Sequence, residues 1–190
     1  AFFKAVNHFY LSRPELWVPW NALVPQFCTL TGFGRHMENF STPSCVSSFV
    51  EVEVDTKTGL AKVIDMLSGS DAGQIIDPAA LEMQMHGGIG SASLDTALYE
   101  ENIIDPATGR LLTCNMIDYK WRPFNEFPDY DTCILESKFD TFQFKATGVG
   151  EIAGAAAASA TMQAISNALG VQVSTYPATP DVILKALGKI

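Results

Sequence analysis

The clearest periodicity in the chain lies between Phe49 and Asp55, where Val50, Val52 and Val54 alternate with Glu51 and Glu53. A period of two is that of a strand with one buried face. Asp55-Thr56-Lys57-Thr58-Gly59 has turn composition, and Leu60–Leu67 resumes as a second strand, so the pair reads as a β-hairpin. Ser68–Gly73 reads as a loop of small residues. Asp77-Pro78 supplies an N-cap followed by a proline at the first helical position, which predicts a helix from near Ala79 through Leu81 and Met85. That helix runs into Gly87, Gly88 and Gly90. Each glycine costs roughly 1 kcal/mol relative to alanine in a helix interior, so a break, or close approach to a ligand or neighbouring backbone, is expected there.

Further along, helix is expected over Leu94–Glu101. Short strands near Asn102–Ile104 and Arg110–Thr113 flank the turn Asp105-Pro106-Ala107-Thr108-Gly109. Asn115–Trp121 and Thr132–Lys138 read as extended, separated by a loop with Pro123 and Pro128. An alanine-rich helix follows and stops at Gly170. Thr179-Pro180-Asp181 opens a last helix that ends at Gly188. The pattern is α+β with no internal repeat. The first 40 residues differ from the rest: they are aromatic-rich and irregular, and Trp17, Pro19, Trp20 and Pro25 prevent a long helix. That much aromatic surface needs a cover, either the core or a partner chain. The expected organisation is therefore an N-terminal segment, residues 1–45, and a C-terminal domain, residues 46–190.

Composition narrows the function classes. The 190 residues are 47% hydrophobic with a net charge of −9, which disfavours a nucleic-acid partner, since phosphate contacts need a basic surface. No apolar run is long enough for a membrane span and no signal peptide is read at the N-terminus, so a cytoplasmic location is expected. Cys28, Cys45, Cys114 and Cys133 are scattered; they read as buried thiols in a reducing compartment rather than as zinc or iron–sulfur ligands. There is no phosphate loop, no dinucleotide fingerprint and no nucleophile elbow.

The candidate chemistry centres on Lys145–Ala160, KATGVGEIAGAAAASA. Gly148 and Gly150 allow positive φ and close approach, and the alanines favour helix. Glu151 would then sit in the first helical turn, where the dipole favours its ionised form. From this stretch alone it reads equally well as a carboxylate without chemistry or as a positioned base. His86 reads as a satisfied core or surface histidine before any metal ligand, and Gln84 alone is unremarkable.

Several fragments occur in one order: the hairpin VEVEVDTKTGLAKV, the loop SDAGQIIDP, MQMHGG followed by ALYEE, DPATGRLLTCNMIDYK, and GVGE before a small-residue helix. Together they resemble the C-terminal part of the molybdenum-binding subunit of the xanthine oxidase family, over roughly Val46 to Ile190. The resemblance implies that domain's molybdopterin-binding fold, with hairpins packed on helices. It implies that Glu151, in GVGE, is the catalytic general base, and that Gln84, at the glutamine of GQ-x-x-GG, lies near the pterin. Gly87, Gly88, Val149 and Gly150 would line the cofactor, with no metal ligand from this chain.

The implied reaction is hydroxylation of an electron-poor carbon, in an N-heterocycle or an aldehyde, with water as the oxygen source. The implied cofactor is a molybdenum–pterin group in its cytosine dinucleotide form, shared with a larger molybdenum-binding chain. A 2Fe-2S centre and FAD would lie on other subunits and carry the electrons away. Met83 stands where the family has glycine, and Gly90-Ser91-Ala92-Ser93 replaces its G-x-G with about one extra residue. Because the family's subunit is several times longer, the chain by itself is expected to be catalytically incomplete. A reductive, hydroxybenzoyl-CoA-reductase-like role and a non-catalytic scaffold are the alternatives.

Overall fold

The computed structural model describes residues 44–138 and 145–190, apart from the side chains of Ser91 and Ala92. Residues 1–43 of the aromatic N-terminal segment, with Cys28, lie outside them. The described residues fall within one compact unit, Thr42–Ile190. Its sheet has three strands, β1 (Cys45–Val54), β2 (Ala61–Asp71) and β3 (Asp129–Leu135), in the order β1-β2-β3. The first two form the expected antiparallel hairpin, with a register shift between Glu51 and Val52. Asp55 closes its turn by accepting from the Lys57 amide at 2.8 Å and the Thr58 hydroxyl at 2.9 Å. Gly59 has φ 79, and a Cβ there would collide with the Pro180 carbonyl. This turn glycine is thus also the seat of the last helix.

The second strand is longer than its hydrophobic run. Ser68, Gly69, Ser70 and Asp71 read as loop residues, yet they pair with β1 on one side and with β3, in parallel, on the other. Being central overrides their weak strand propensity. Ser68 and Ser70 are fully buried, and the Ser68 hydroxyl lies 2.6 Å from that of Ser48. Asp71 ends the strand by accepting from the Gly73 amide at 3.0 Å and from the amide and hydroxyl of Ser137. The Ser137 hydroxyl first, then the Gly73 amide, holds the Asp71 carboxyl below the usual carboxylate range.

Helix α1 (Pro78–Gly87) starts as its sequence predicts, with Asp77 Oδ1 accepting from the Ala80 amide at 3.1 Å. The glycines do not end it. Gly88–Ser93 continues as one wide π turn, and α2 (Leu94–Leu98) follows directly. The alanine-rich helix is divided at Ala156 into α3 (Ile152–Ala155) and α4 (Ala157–Leu169), the latter stopped by Gly170 at φ 68. Helix α5 (Pro180–Ala186) closes the chain. One core cluster joins Met66 of the central strand to Leu81, Met85, Ile89, Leu94, Ala153 and Ala157. A second joins Ala97, Met162, Ile165 and Ile183.

Several expected elements are shorter or different. Asn102–Ile104 and Arg110–Thr113 make a single bridge, Ile104 to Leu111. The segment Asn115–Trp121 is turned, not extended, because Asn115 Oδ1 accepts from the Ile117 and Asp118 amides and offers the backbone a local alternative to a ladder. The helix expected to reach Glu101 stops at Leu98, with Tyr99 at φ −130. The third strand begins earlier than the predicted Thr132–Lys138 and stops at Leu135. Cys45, Cys114 and Cys133 are exposed, not buried.

Asp71 generates a pH prediction. A depressed folded-state pKa contributes stability that is complete above about pH 4 and is lost as pH falls through the folded value. Asp71→Asn should cost roughly 1 kcal/mol at pH 7, after discounting for exposure, and should flatten the acid limb of a stability–pH curve measured by urea unfolding. An unchanged acid limb would remove Asp71 from the account.

Candidate cofactor site

The segment before Glu151 is held against the end of β2. Gly73 bridges Ala146, the Gln74 amide donates to the Lys145 carbonyl at 2.7 Å, and the Thr147 amide donates to the Ala72 carbonyl at 3.0 Å. Ser44 adds a hydroxyl bond to the Gly148 carbonyl at 3.1 Å. Lys145 takes a left-handed φ of 55 as the chain enters this segment, while Gly148 and Gly150 do not have positive φ. Their lack of a Cβ matters differently: nothing lies within 4 Å of where one would be built. The glycines therefore leave an open strip of backbone.

Beside that strip is a groove of about 270 Å³, bounded by Ala72, Ile75, Ile76 and Leu81 on one side and Thr147, Val149 and Gly150 on the other. Gln84 reaches across from α1, and its Nε2 donates to the Gly150 carbonyl. The Thr147 hydroxyl on the groove wall is buried and has no hydrogen-bond partner. An unpaired buried hydroxyl costs about 1–3 kcal/mol, so a polar group of a bound molecule would relieve it. Sequence reasoning passed over Thr147, because a threonine before a glycine loop carries no distinguishing pattern.

The structure brings Gln84, Val149 and Gly150 together around this groove. Glu151 follows at once as the exposed N-cap of α3, and its side chain makes no capping bond. Helix α3 is a single turn before the break at Ala156, which reduces the dipole argument for Glu151 to the few amides of that turn. Gly88 is turned elsewhere: a Cβ there would lie 2.6 Å from the Ala153 Cβ and 3.0 Å from the Gly154 nitrogen. At Gly87 nothing lies within 4 Å of where a Cβ would be built. His86 packs edge-on against Tyr130, ring centroids 4.6 Å apart, with Glu82 4.0 Å from its Nε2. Among the described residues no group of His, Cys, Asp or Glu is arranged to hold a metal ion.

A buried ion pair was missed altogether. Arg122 Nη2 donates to Asp95 Oδ1 at 2.7 Å, with the two side chains 2% and 6% exposed. The guanidinium lies over the rings of Phe127 (4.9 Å) and Tyr99 (5.8 Å). Burial and a hydrogen bond to Glu126 push the Tyr99 hydroxyl up to about 12. The available signal was an acidic residue between Leu94 and Ala97, where the helix pattern demands apolar side chains. The pair pins α2 to the loop before β3.

Open glycine backbone with amide and hydroxyl groups around an apolar groove suits a polar cofactor. The molybdopterin cofactor-binding domain family matches residues 10–128, and the chain belongs to that family. The match begins well before Val46, inside the aromatic segment. It contains Gln84, Gly87 and Gly88 and stops before Val149, Gly150 and Glu151.

The xanthine dehydrogenase molybdenum-binding subunit of Escherichia coli O157:H7 is 30% identical over 138 residues, covering 73% of this chain and 18% of the relative. The 6-hydroxypseudooxynicotine dehydrogenase complex subunit gamma of Paenarthrobacter nicotinovorans is 34% identical over 145 residues, 72% of this chain and 17% of the relative. Quinoline 2-oxidoreductase from Pseudomonas putida 86 shares the fold at TM-score 0.67 and 32% identity, over 73% of this chain and 18% of that one. The chain thus spans about a fifth of the length of the curated relatives it matches.

Removing one partner of a buried ion pair strands the other. Asp95→Ala should cost about 3–5 kcal/mol, read as a lowered urea midpoint. Asp95→Leu combined with Arg122→Met should recover most of it. Equal losses in the single and double variants would show that the charge pairing is not what matters.

Proposed function

We propose that this chain is one part of a multi-subunit molybdenum hydroxylase, which oxidises an electron-poor carbon of an N-heterocycle or aldehyde with water as the oxygen source. The observation that carries the reading is the position of Glu151. It is an exposed carboxylate immediately after Gly150, whose carbonyl is tied to Gln84 at a groove with an unpaired Thr147 hydroxyl. The molybdenum–pterin group, when bound, would supply the metal and the two-electron acceptor. Gln84, Gly87, Val149 and Gly150, with Thr147, are the residues of this chain that would hold it.

Glu151 would take the proton from the water-derived nucleophile. A general base must be a carboxylate held in reach of that proton, and a glycine loop in front of a short helix turn leaves its carboxylate unobstructed. The relatives support the substrate class by name: they act on xanthine, on 6-hydroxypseudooxynicotine and on quinoline. Electrons would leave through iron–sulfur and flavin centres on other chains, and the cytosine dinucleotide form of the pterin is the form proposed.

The surface supports a larger partner chain that completes the cofactor site. Ile103, Ile104, Leu112, Met116, Ile117, Trp121 and Phe124 are all exposed in one stretch, which is far more apolar surface than isolated residues would account for.

Two measurements test the reading. With molybdenum and pterin content equal to wild type, Glu151→Gln should lower the rate of single-turnover reduction by substrate about 10²–10⁴-fold; a near-normal rate would end its assignment as base. In native purification, Ile117→Glu with Phe124→Asp should release the chain from a larger molybdenum-bearing partner. A wild-type chain that purifies as a stable monomer without such a partner would refute the assembly.

A further inference from the structure

The turn that carries Glu151 does little to fix itself. Helix α3 is one turn long, Glu151 has no side-chain cap, and the Glu151 carbonyl is engaged by the Gly154 amide at 3.1 Å. Besides the ties from the end of β2 to the preceding loop, one segment, Gln84–Ser93, holds this turn from outside at three points. Gln84 Nε2 donates to the Gly150 carbonyl, one residue before Glu151. Gly88 meets Ala153, two residues after it, at a separation where an added Cβ would lie 2.6 Å from the Ala153 Cβ. The hydroxyl of Ser93, fully buried, donates to the Gly154 carbonyl, three residues after it.

The spacing of these points follows from helix geometry. Gln84 and Gly88 are four residues apart, one α-helical turn, and so share a face. Continued as an α-helix, that face would next present residue 92. The π turn closes with the Leu94 amide bonding to the Ile89 carbonyl, an i to i+5 bond. The residue that follows Gly88 on the face is therefore Ser93, five positions on, and its hydroxyl reaches the carbonyl that a regular helix would leave unmet. Glycine at 88 is required because any side chain would push α3 away.

We infer that Ser93 and Gly88 are positioning residues for the Glu151 carboxylate, with the π turn as the device that brings Ser93 into register. The inference rests on Glu151 being the base. A displacement of about 1 Å at a reacting group can cost on the order of 10²-fold in rate, so loosening the clasp should lower turnover while leaving substrate binding intact.

The test uses the assembled enzyme with molybdenum and pterin quantified. Ser93→Ala and Gly88→Ala should each lower kcat about 10–100-fold, with KM nearly unchanged and cofactor content full. Amide hydrogen exchange over residues 152–156 should speed up in both. Ser93→Thr keeps the hydroxyl and should regain rate and protection; Gly88→Ala combined with Ala153→Gly removes the 2.6 Å contact but keeps the 3.0 Å approach to the Gly154 nitrogen, and should regain them in part. Loss of melting temperature with normal kcat would overturn the inference by reducing the clasp to a strut, and loss of pterin would overturn it by making these residues cofactor contacts. Glu151→Gln separates the two levels: if it is inactive while Ser93→Ala is normal, only the positioning role falls, whereas an active Glu151→Gln removes the base assignment and the positioning role with it.

Discussion

The approach of α3 to the π turn sets the spacing on which the site depends. Gly88 has no side chain to separate the two backbones, and Ala153 and Ala157 are fully buried at the same junction. Small residues on both sides bring the start of the alanine-rich stretch close enough for Gln84 and Ser93 to reach its carbonyls. The Gly148-Val149-Gly150 strip then runs between that junction and the end of the central strand, with the groove alongside.

The sheet supplies the other fixed edge. β2 is paired on both sides, so its last residues, small and polar as they are, are held by ladders from both neighbours. Ala72, Gly73 and Gln74 carry that constraint into the loop before Glu151 through backbone hydrogen bonds. Asp95 and Arg122 fix α2, which continues the π turn directly, to the loop before β3. A buried ion pair adds little net stability, but it makes this geometry expensive to change.

These features agree with membership in the molybdopterin cofactor-binding domain family and with a chain that spans about a fifth of its relatives. The apolar residues from Ile103 to Phe124 form a run of exposed hydrophobic side chains. Glu151 is exposed among the described residues, at the start of α3.

Local chemistry was legible in the sequence wherever one short stretch decides the outcome. The β1–β2 hairpin follows from alternating valines and a turn built on Asp55 and Gly59. The start of α1 follows from Asp77-Pro78, and the end of α4 from Gly170. The family resemblance was legible too, in the order of its fragments. What could not be read was whatever depends on a distant partner. Ser68–Asp71 became strand because β3 pairs with it from 64 residues on in register. The expected close approach to a neighbouring backbone is present at Gly88, against Ala153 and Gly154, but the helix does not break there: Gly88–Ser93 widens into a π turn that carries the Ser93 hydroxyl to the Gly154 carbonyl. Asp95 is buried because Arg122 is there to receive it. Sequence periodicity registers the preferences of neighbours along the chain; these outcomes were settled by neighbours in space, where one hydrogen bond or one missing Cβ outweighs the local propensity.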